Sequence, residues 1–263
     1  MTFVSTRDPG VAAGLSQAIT QGLAPDGGLY VPSPTPRIPI AAFESAPGLP
    51  SIATTMLQPF AAGDSLEPQL TAICREAFDF PAPVVPLEGA ADSASVLELF
   101  HGPTCAFKDF GARFIAAALE RLRARAGRQL TVLVATSGDT GGAVAAAFHR
   151  RAWADVVLLY PKGLVSSRQA QQLSCWGDNV RTFAVRGTFD DCQRMVKGAM
   201  RDPALTVGHE FSSANSINLG RLLPQTTYYA SASLQIWRAE GRKPSFIVPS
   251  GNLGNVVACV MAR

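Results

Sequence analysis

From residue 95 onward the chain alternates short β-branched and aliphatic runs with longer helix-like stretches, and this alternation limits the available folds more than any other feature. The runs over 95–100, 130–135, 155–160, 180–185 and 245–248 read as strands. Those over 110–126, 142–151, 167–176, 189–200 and 219–240 read as helices. Strands separated by helices form βαβ units, and βαβ units form parallel sheets. The expected fold class is therefore α/β, an open, mostly parallel sheet with helices on both faces. Right-handed crossovers gather the carboxyl ends of such strands at one edge, where ligands of open α/β sheets bind.

Before residue 85 the texture differs. Pro-rich connectors at 31–36 and 81–83 flank two helix-like stretches, 11–21 and 64–78. Asp64 followed three residues later by Glu67 resembles a capping box. The expected organisation is a small N-terminal domain, 1–84, and an α/β domain, 85–263. Hydrophobic residues make up 47% and charged residues 16%, which supplies a core and excludes a disordered chain. Lys and Arg exceed Asp and Glu by 23 − 20 = 3 without forming a basic block, so nucleic acid is not an expected partner. No apolar run approaches the roughly 18 residues of a membrane span, and the N-terminus lacks a secretory pattern. Five widely spaced cysteines without a CxxC pair suit reduced thiols in a cytoplasm. With three histidines and no HExxH, no metal site is expected.

Three loops that follow expected strands carry the chemistry. His101-Gly-Pro-Thr-Cys-Ala-Phe-Lys108 leads into a helix, placing Lys108 near a helix N-terminus among Ala106, Phe107 and Phe110. Both surroundings disfavour a protonated amine, which suits a lysine that must attack an aldehyde. A lysine snorkelling beside Asp109 fits the same pattern. Thr136-Ser-Gly-Asp-Thr-Gly-Gly142 and Ser250-Gly-Asn-Leu-Gly-Asn255 each open a helix with small residues, as an anion cradle does. Neither GxxxxGK(S/T) nor GxGxxG occurs, so the phosphate and dinucleotide fingerprints of nucleotide-binding folds are absent. Two anion cradles and one reactive amine on one sheet edge together suit a phosphorylated aldehyde cofactor. The segment from Ser212 to Arg221 reads equally as an anion receptor and as a capped helix start.

These residues resemble the threonine synthase family, pyridoxal-phosphate enzymes of the tryptophan-synthase-β-like fold. LELFHGPTCAFKDFG (97–111), ATSGDTGGAVAAAF (135–148), NSINLGRLLPQTTYY (215–229) and VPSGNLGN (248–255) carry the likeness in family order, with TRDPG and APDGGLYVP near the start. The resemblance implies conversion of O-phospho-L-homoserine and water to L-threonine and phosphate. It implies Lys108 as the Schiff-base lysine and proton-moving base. It places Gly251, Asn252, Leu253, Gly254 and Asn255 around the cofactor phosphate and Asp139 beside the ring oxygen. Ser137, Gly138 and Thr140 would meet the substrate carboxylate, and Asn215, Ser216, Asn218 and Arg221 the substrate phosphate. Thr104 is implied near the substrate; for it and His101 a structural role stands beside that one.

Cys105 replaces an expected aliphatic or small residue, which suggests a packing substitution. The chain stops at Arg263, inside the helix expected after the 250–255 loop, whereas family members are longer and supply the partner of the pyridine nitrogen later. A phospholyase or dehydratase of the same fold, or an inactive shortened chain, are the other expected outcomes. Oligomeric state is not readable from the residues.

Overall fold

A computed structural model describes residues 1–89, 94–123, 129–215 and 217–263. The chain opens with a three-stranded antiparallel sheet of β1 (Phe3–Ser5), β2 (Ala12–Ala13) and, after α1 (Leu15–Gln21), β3 (Tyr30–Pro32), in the order β2-β1-β3. Pairing with β1 claims Ala12 and Ala13, so the helix expected over 11–21 begins only at Leu15. Two carbonyls in the last turn of α1 are bonded from far along the chain. Ile19 O accepts from Asn218 Nδ2 at 2.9 Å and Thr20 O from Ser212 Oγ at 3.1 Å. These satisfy groups that a helix leaves orphaned at its end.

Next come α2 (Leu49–Ala61) and α3 (Leu70–Ala77). No helix is expected where α2 forms, because its two prolines disguise it. Pro50 lies in the first turn, where a missing N–H costs nothing, and Pro59 near the other end. The stretch expected over 64–78 is a turn and then a helix. Asp64 accepts from Leu66 N at 3.0 Å and Glu67 reaches back to Gly63 N at 2.7 Å, ahead of α3.

β4 (Val84–Pro86) and β5 (Ser95–Leu97) form a separate antiparallel ribbon. The strand expected over 95–100 is thus shorter and lies outside the main sheet. Val85 and Val96 are both exposed, whereas a strand of a doubly covered sheet buries both faces. Then follow α4 (Lys108–Arg123), β6 (Leu130–Ala135), α5 (Asp139–Phe148), β7 (Ala154–Pro161), α6 (Ser167–Ser174), β8 (Val180–Val185), α7 (Phe189–Ala199), α8 (Pro203–Thr206) and β9 (Glu210–Ser212). The main sheet is parallel, ordered β8-β7-β6-β9. Leu130 sits opposite both Ala154 and Glu210, and Val156 opposite Val180. Alternation along β6 sends Val132 and Val134 into the main core and Leu133 and Ala135 into a second cluster with Cys192 and Val196 of α7. The α/β class with helices on both faces is what the structure shows.

The long helix expected over 219–240 is three pieces. Pro224 divides α9 (Leu219–Leu222) from α10 (Thr226–Glu240) by a short 3₁₀ turn. The chain then runs through 245–248 to α11 (Gly254–Met261). The strand expected over 245–248 does not form. Among the described residues no strand pairs with it, and Ile247 is 99% exposed. The main core is continuous from Phe3 and Phe60 through Phe78 to Phe110 and Phe114 of α4. Among the described residues no helix is long and apolar enough to cross a membrane.

Candidate active site

The first turn of α4 is the centre of the site. The segment before it folds around Asp109, which is fully buried and accepts from Thr104 N at 2.9 Å and Thr104 Oγ1 at 2.7 Å. Gly102 is required there, since a Cβ would lie 2.5 Å from Asp109 Oδ2. Thr104 therefore shapes the lysine turn, with its hydroxyl directed at Asp109. His101 is bonded to Glu98 at 2.7 Å and stacks on Phe100, so it too serves the local structure. Cys105 is exposed with φ at 56°, which corrects the expectation of a packing substitution.

Lys108 opens the helix. Its Nζ lies 3.3 Å from Asp139 Oδ2 and 4.1 Å from the centroid of the Phe107 ring, with the side chain 25% exposed. The amine is thus held in place and reachable from solvent.

Asp139 is the first residue of α5, and its other oxygen accepts from Gln169 Nε2 at 3.2 Å. The turn before it is organised by Thr136, a buried hydroxyl that donates to Gly138 O and accepts from Gly138 N and Gly141 N. Gly138 has φ at 154°, and a Cβ there would come within 2.4 Å of Gln169 Nε2. Ser137 is exposed and Thr140 half-buried, so both stand open to a ligand beside the N–H groups of the helix start. Sequence reasoning named Ser137, Gly138, Asp139 and Thr140 but missed Thr136 and Gln169. The Ser166–Gln169 capping spacing was visible, whereas the reach of Gln169 to Asp139 was not.

The segment expected to meet the substrate phosphate divides. Asn215 is half-buried, and Ser216 lies outside the described residues. Asn218 is fully buried and spends its side chain on Ile19 O, Ser213 O and Gly220 N. Arg221 is 2% exposed and donates to Ala214 O at 2.5 Å. Burial pulls its guanidinium down to about 10 against the opposing charge of Asp109. The segment reads equally as an anion receptor and as a capped helix start, with the resemblance favouring the substrate phosphate; the structure places both side chains inside, with Asn218 capping α9.

At the other cradle, Gly251, Asn252 and Leu253 are exposed, and a Cβ on Gly251 would touch nothing within 4 Å. Leu253 adopts φ 56° just before α11, and Gly254 N donates to Asn252 O at 2.7 Å. Asn255 Oδ1 accepts from Tyr228 OH at 2.6 Å and Tyr229 OH at 2.7 Å.

Four consecutive residues of α4 thus meet the other segments in turn. Lys108 reaches Asp139, and Asp109 holds the preceding loop. The Phe110 ring packs edge-on against Tyr228 at 4.9 Å, and Tyr228 bonds Asn255. Gly111 lets Arg221 approach, since a Cβ would sit 2.7 Å from Arg221 O. Such an arrangement can hold an aldehyde on the amine and an anion at a nearby helix N-terminus.

Residues 77–263 match the family described as pyridoxal-phosphate dependent enzyme, and residues 2–78 match the threonine synthase N terminus. The chain is 41% identical to the threonine synthase of Haemophilus influenzae over its full length, covering 61% of that protein. Its fold superposes on the crystal structure of threonine synthase from Escherichia coli with a TM-score of 0.85 at 38% identity, covering all of this chain and 60% of that one. The PLP-bound threonine synthase from Brucella melitensis gives a TM-score of 0.87 at 38% identity, covering all of this chain and 57% of that one. The chain therefore spans about three-fifths of the length of the relatives it matches.

Proposed function

The chain belongs to the pyridoxal-phosphate-dependent enzymes, and from that premise we propose that it carries the lysine-bearing core of a threonine synthase acting on O-phospho-L-homoserine and water to give L-threonine and phosphate. One observation carries the reading. The Lys108 amine is accessible and fixed at the meeting point of two helix N-termini, α4 and α5, on Asp139. The residues present fit the cofactor: an exposed turn with open space at Gly251 precedes a helix that can receive a phosphate, and a reachable amine can receive an aldehyde.

When bound, pyridoxal phosphate supplies a sink for negative charge on the substrate carbons. Lys108 is proposed to hold the cofactor through Nζ and to move the proton at the substrate α-carbon. Asp139, steadied by Gln169, orients Nζ and would face the cofactor's ring oxygen. Gly251, Asn252, Leu253, Gly254 and Asn255 are proposed to receive the cofactor phosphate, and Ser137, Gly138 and Thr140 the substrate carboxylate. Asn215, with Ser216 beside it in sequence, is proposed for the substrate phosphate. Asn218 and Arg221 support that segment from within. The threonine-synthase-like N-terminal domain is taken as 1–84 and the cofactor domain as 85–263, in a cytoplasmic setting suggested by the scattered cysteines.

Borohydride reduction of the chain saturated with pyridoxal phosphate, followed by peptide mapping, tests the assignment. Label is expected on Lys108 and absent from Lys108→Ala. Label on Lys162 or Lys197 with none on Lys108 would overturn it.

A further inference from the structure

We propose that Tyr228 and Tyr229 are positioning residues that lock the 250–255 turn onto the lysine-bearing helix, so that the anion cradle is set before any ligand arrives. The turn needs such a device. Leu253 occupies the N-cap position of α11, in a left-handed conformation and with no side-chain cap bond. Ordinary helix starts are held by a Ser, Thr, Asp or Asn at that position. Here the first turn of α11 is held instead through Asn255, whose Oδ1 receives both tyrosine hydroxyls, at 2.6 and 2.7 Å.

Two donors use both lone pairs of that one oxygen. The rings themselves are fixed. Tyr228 is fully buried and meets Phe110 edge-on at 4.9 Å, while Tyr229 meets Phe246 edge-on at 5.0 Å. Burial pushes both phenols above their ordinary range, so the donors keep their protons. Phe110 lies two residues after Lys108, so the chain of contacts runs from the amine-bearing turn to the cradle without a gap. Its role toward the cofactor rests on the function proposed above; the clamp does not.

Because the two hydroxyls share one acceptor, either alone keeps most of the restraint. The test compares Tyr228→Phe, Tyr229→Phe, the double variant, Asn255→Ala and Asn255→Asp in the ligand-free chain by hydrogen exchange. The amides of Gly254 and Val257 report the turn, since both are hydrogen-bonded at its edge. The single tyrosine variants should stay within about threefold of the parent, and the double variant and Asn255→Ala should exchange about tenfold faster there. Strand amides in β6 and β7 should not change. Asn255→Asp, which keeps an oxygen for both hydroxyls, should restore protection.

Titration with pyridoxal phosphate should show about tenfold weaker binding in the double variant. Failure of the parent chain to bind would end the proposed function but leave the exchange result standing. Unchanged exchange in the double variant and in Asn255→Ala, or loss of protection in Asn255→Asp equal to that in Asn255→Ala, would overturn the clamp.

Discussion

Cys105 holds φ at 56° in the loop that delivers Lys108, and it faces solvent. In that region a Cβ crowds the following carbonyl at a cost of about 1–2 kcal/mol, which glycine avoids while giving up more freedom on folding. Cys105→Gly should therefore stabilise the chain by about 0.5–1 kcal/mol, read as a higher urea midpoint with an unchanged slope. A lower midpoint would mean the thiol makes compensating contacts. Asn218 is the opposite case, a buried amide with every side-chain group committed. Asn218→Ala should cost about 1–3 kcal/mol, because two carbonyls and one N–H lose their partner together. Wild-type stability in that variant would show that water replaces the amide. At this scale the sequence singled out Lys108 and Asp139, which the structure brings within 3.3 Å of each other, because their types and flanking glycines are local. Gln169 and the tyrosine pair act across separations of 30, 27 and 26 residues, and nothing in their neighbours announces that; Thr136 acts on its own turn, but a lone hydroxyl there does not show that it turns inward. Asn218 and Arg221 left two readings open in the sequence because a polar side chain reads alike whether it faces a ligand or the core.

Between elements, a polar junction joins α3, α4 and the turn after α5. Glu76 accepts from Arg151 at 2.7 Å and Arg121 at 2.8 Å, while Arg151 also pairs with Glu120, which accepts from Trp153 Nε1 at 3.1 Å. Burial alone would raise the Glu76 carboxyl, but the hydrogen bonds and charges of the two arginines outweigh it and hold the group below its ordinary 4.5. A depressed carboxyl contributes stability above its unfolded value and loses it as pH falls through the folded one. Glu76→Gln should therefore be less stable than wild type at pH 7, and the difference should shrink on acidification below 4.5. Chemical denaturation at a series of pH values reads this directly; a gap that widens in acid would contradict it. Elements were legible where periodicity is self-contained, as in β6, β7, α5 and α7. The runs over 95–100 and 245–248 have strand composition, but a strand exists only through its neighbour. One found an antiparallel partner and the other found none among the described residues. The short β9 has too few residues to show a period at all.

Taken whole, the described residues form a main core with two smaller clusters beside it, and several apolar side chains between 247 and 260 stand exposed. Ile247, Leu253, Val257 and Val260 are exposed, Val260 at 68%. Contiguous apolar exposure promotes association. The 263-residue chain should show scattering that grows with concentration, and Ile247→Lys with Val260→Lys should reduce it. A monodisperse monomer at high concentration would show that these side chains are too dispersed to act together. A different consequence follows from the way α1 ends. Its last residues are translated early, yet the carbonyls of Ile19 and Thr20 are bonded by side chains 199 and 192 positions later. At ribosomal rates of roughly 5–20 residues per second, about 10–40 s separate the helix from the groups that finish it. Through that interval the nascent N-terminal segment leaves those carbonyls to water, and its first helix is completed only when a much younger stretch of polypeptide arrives.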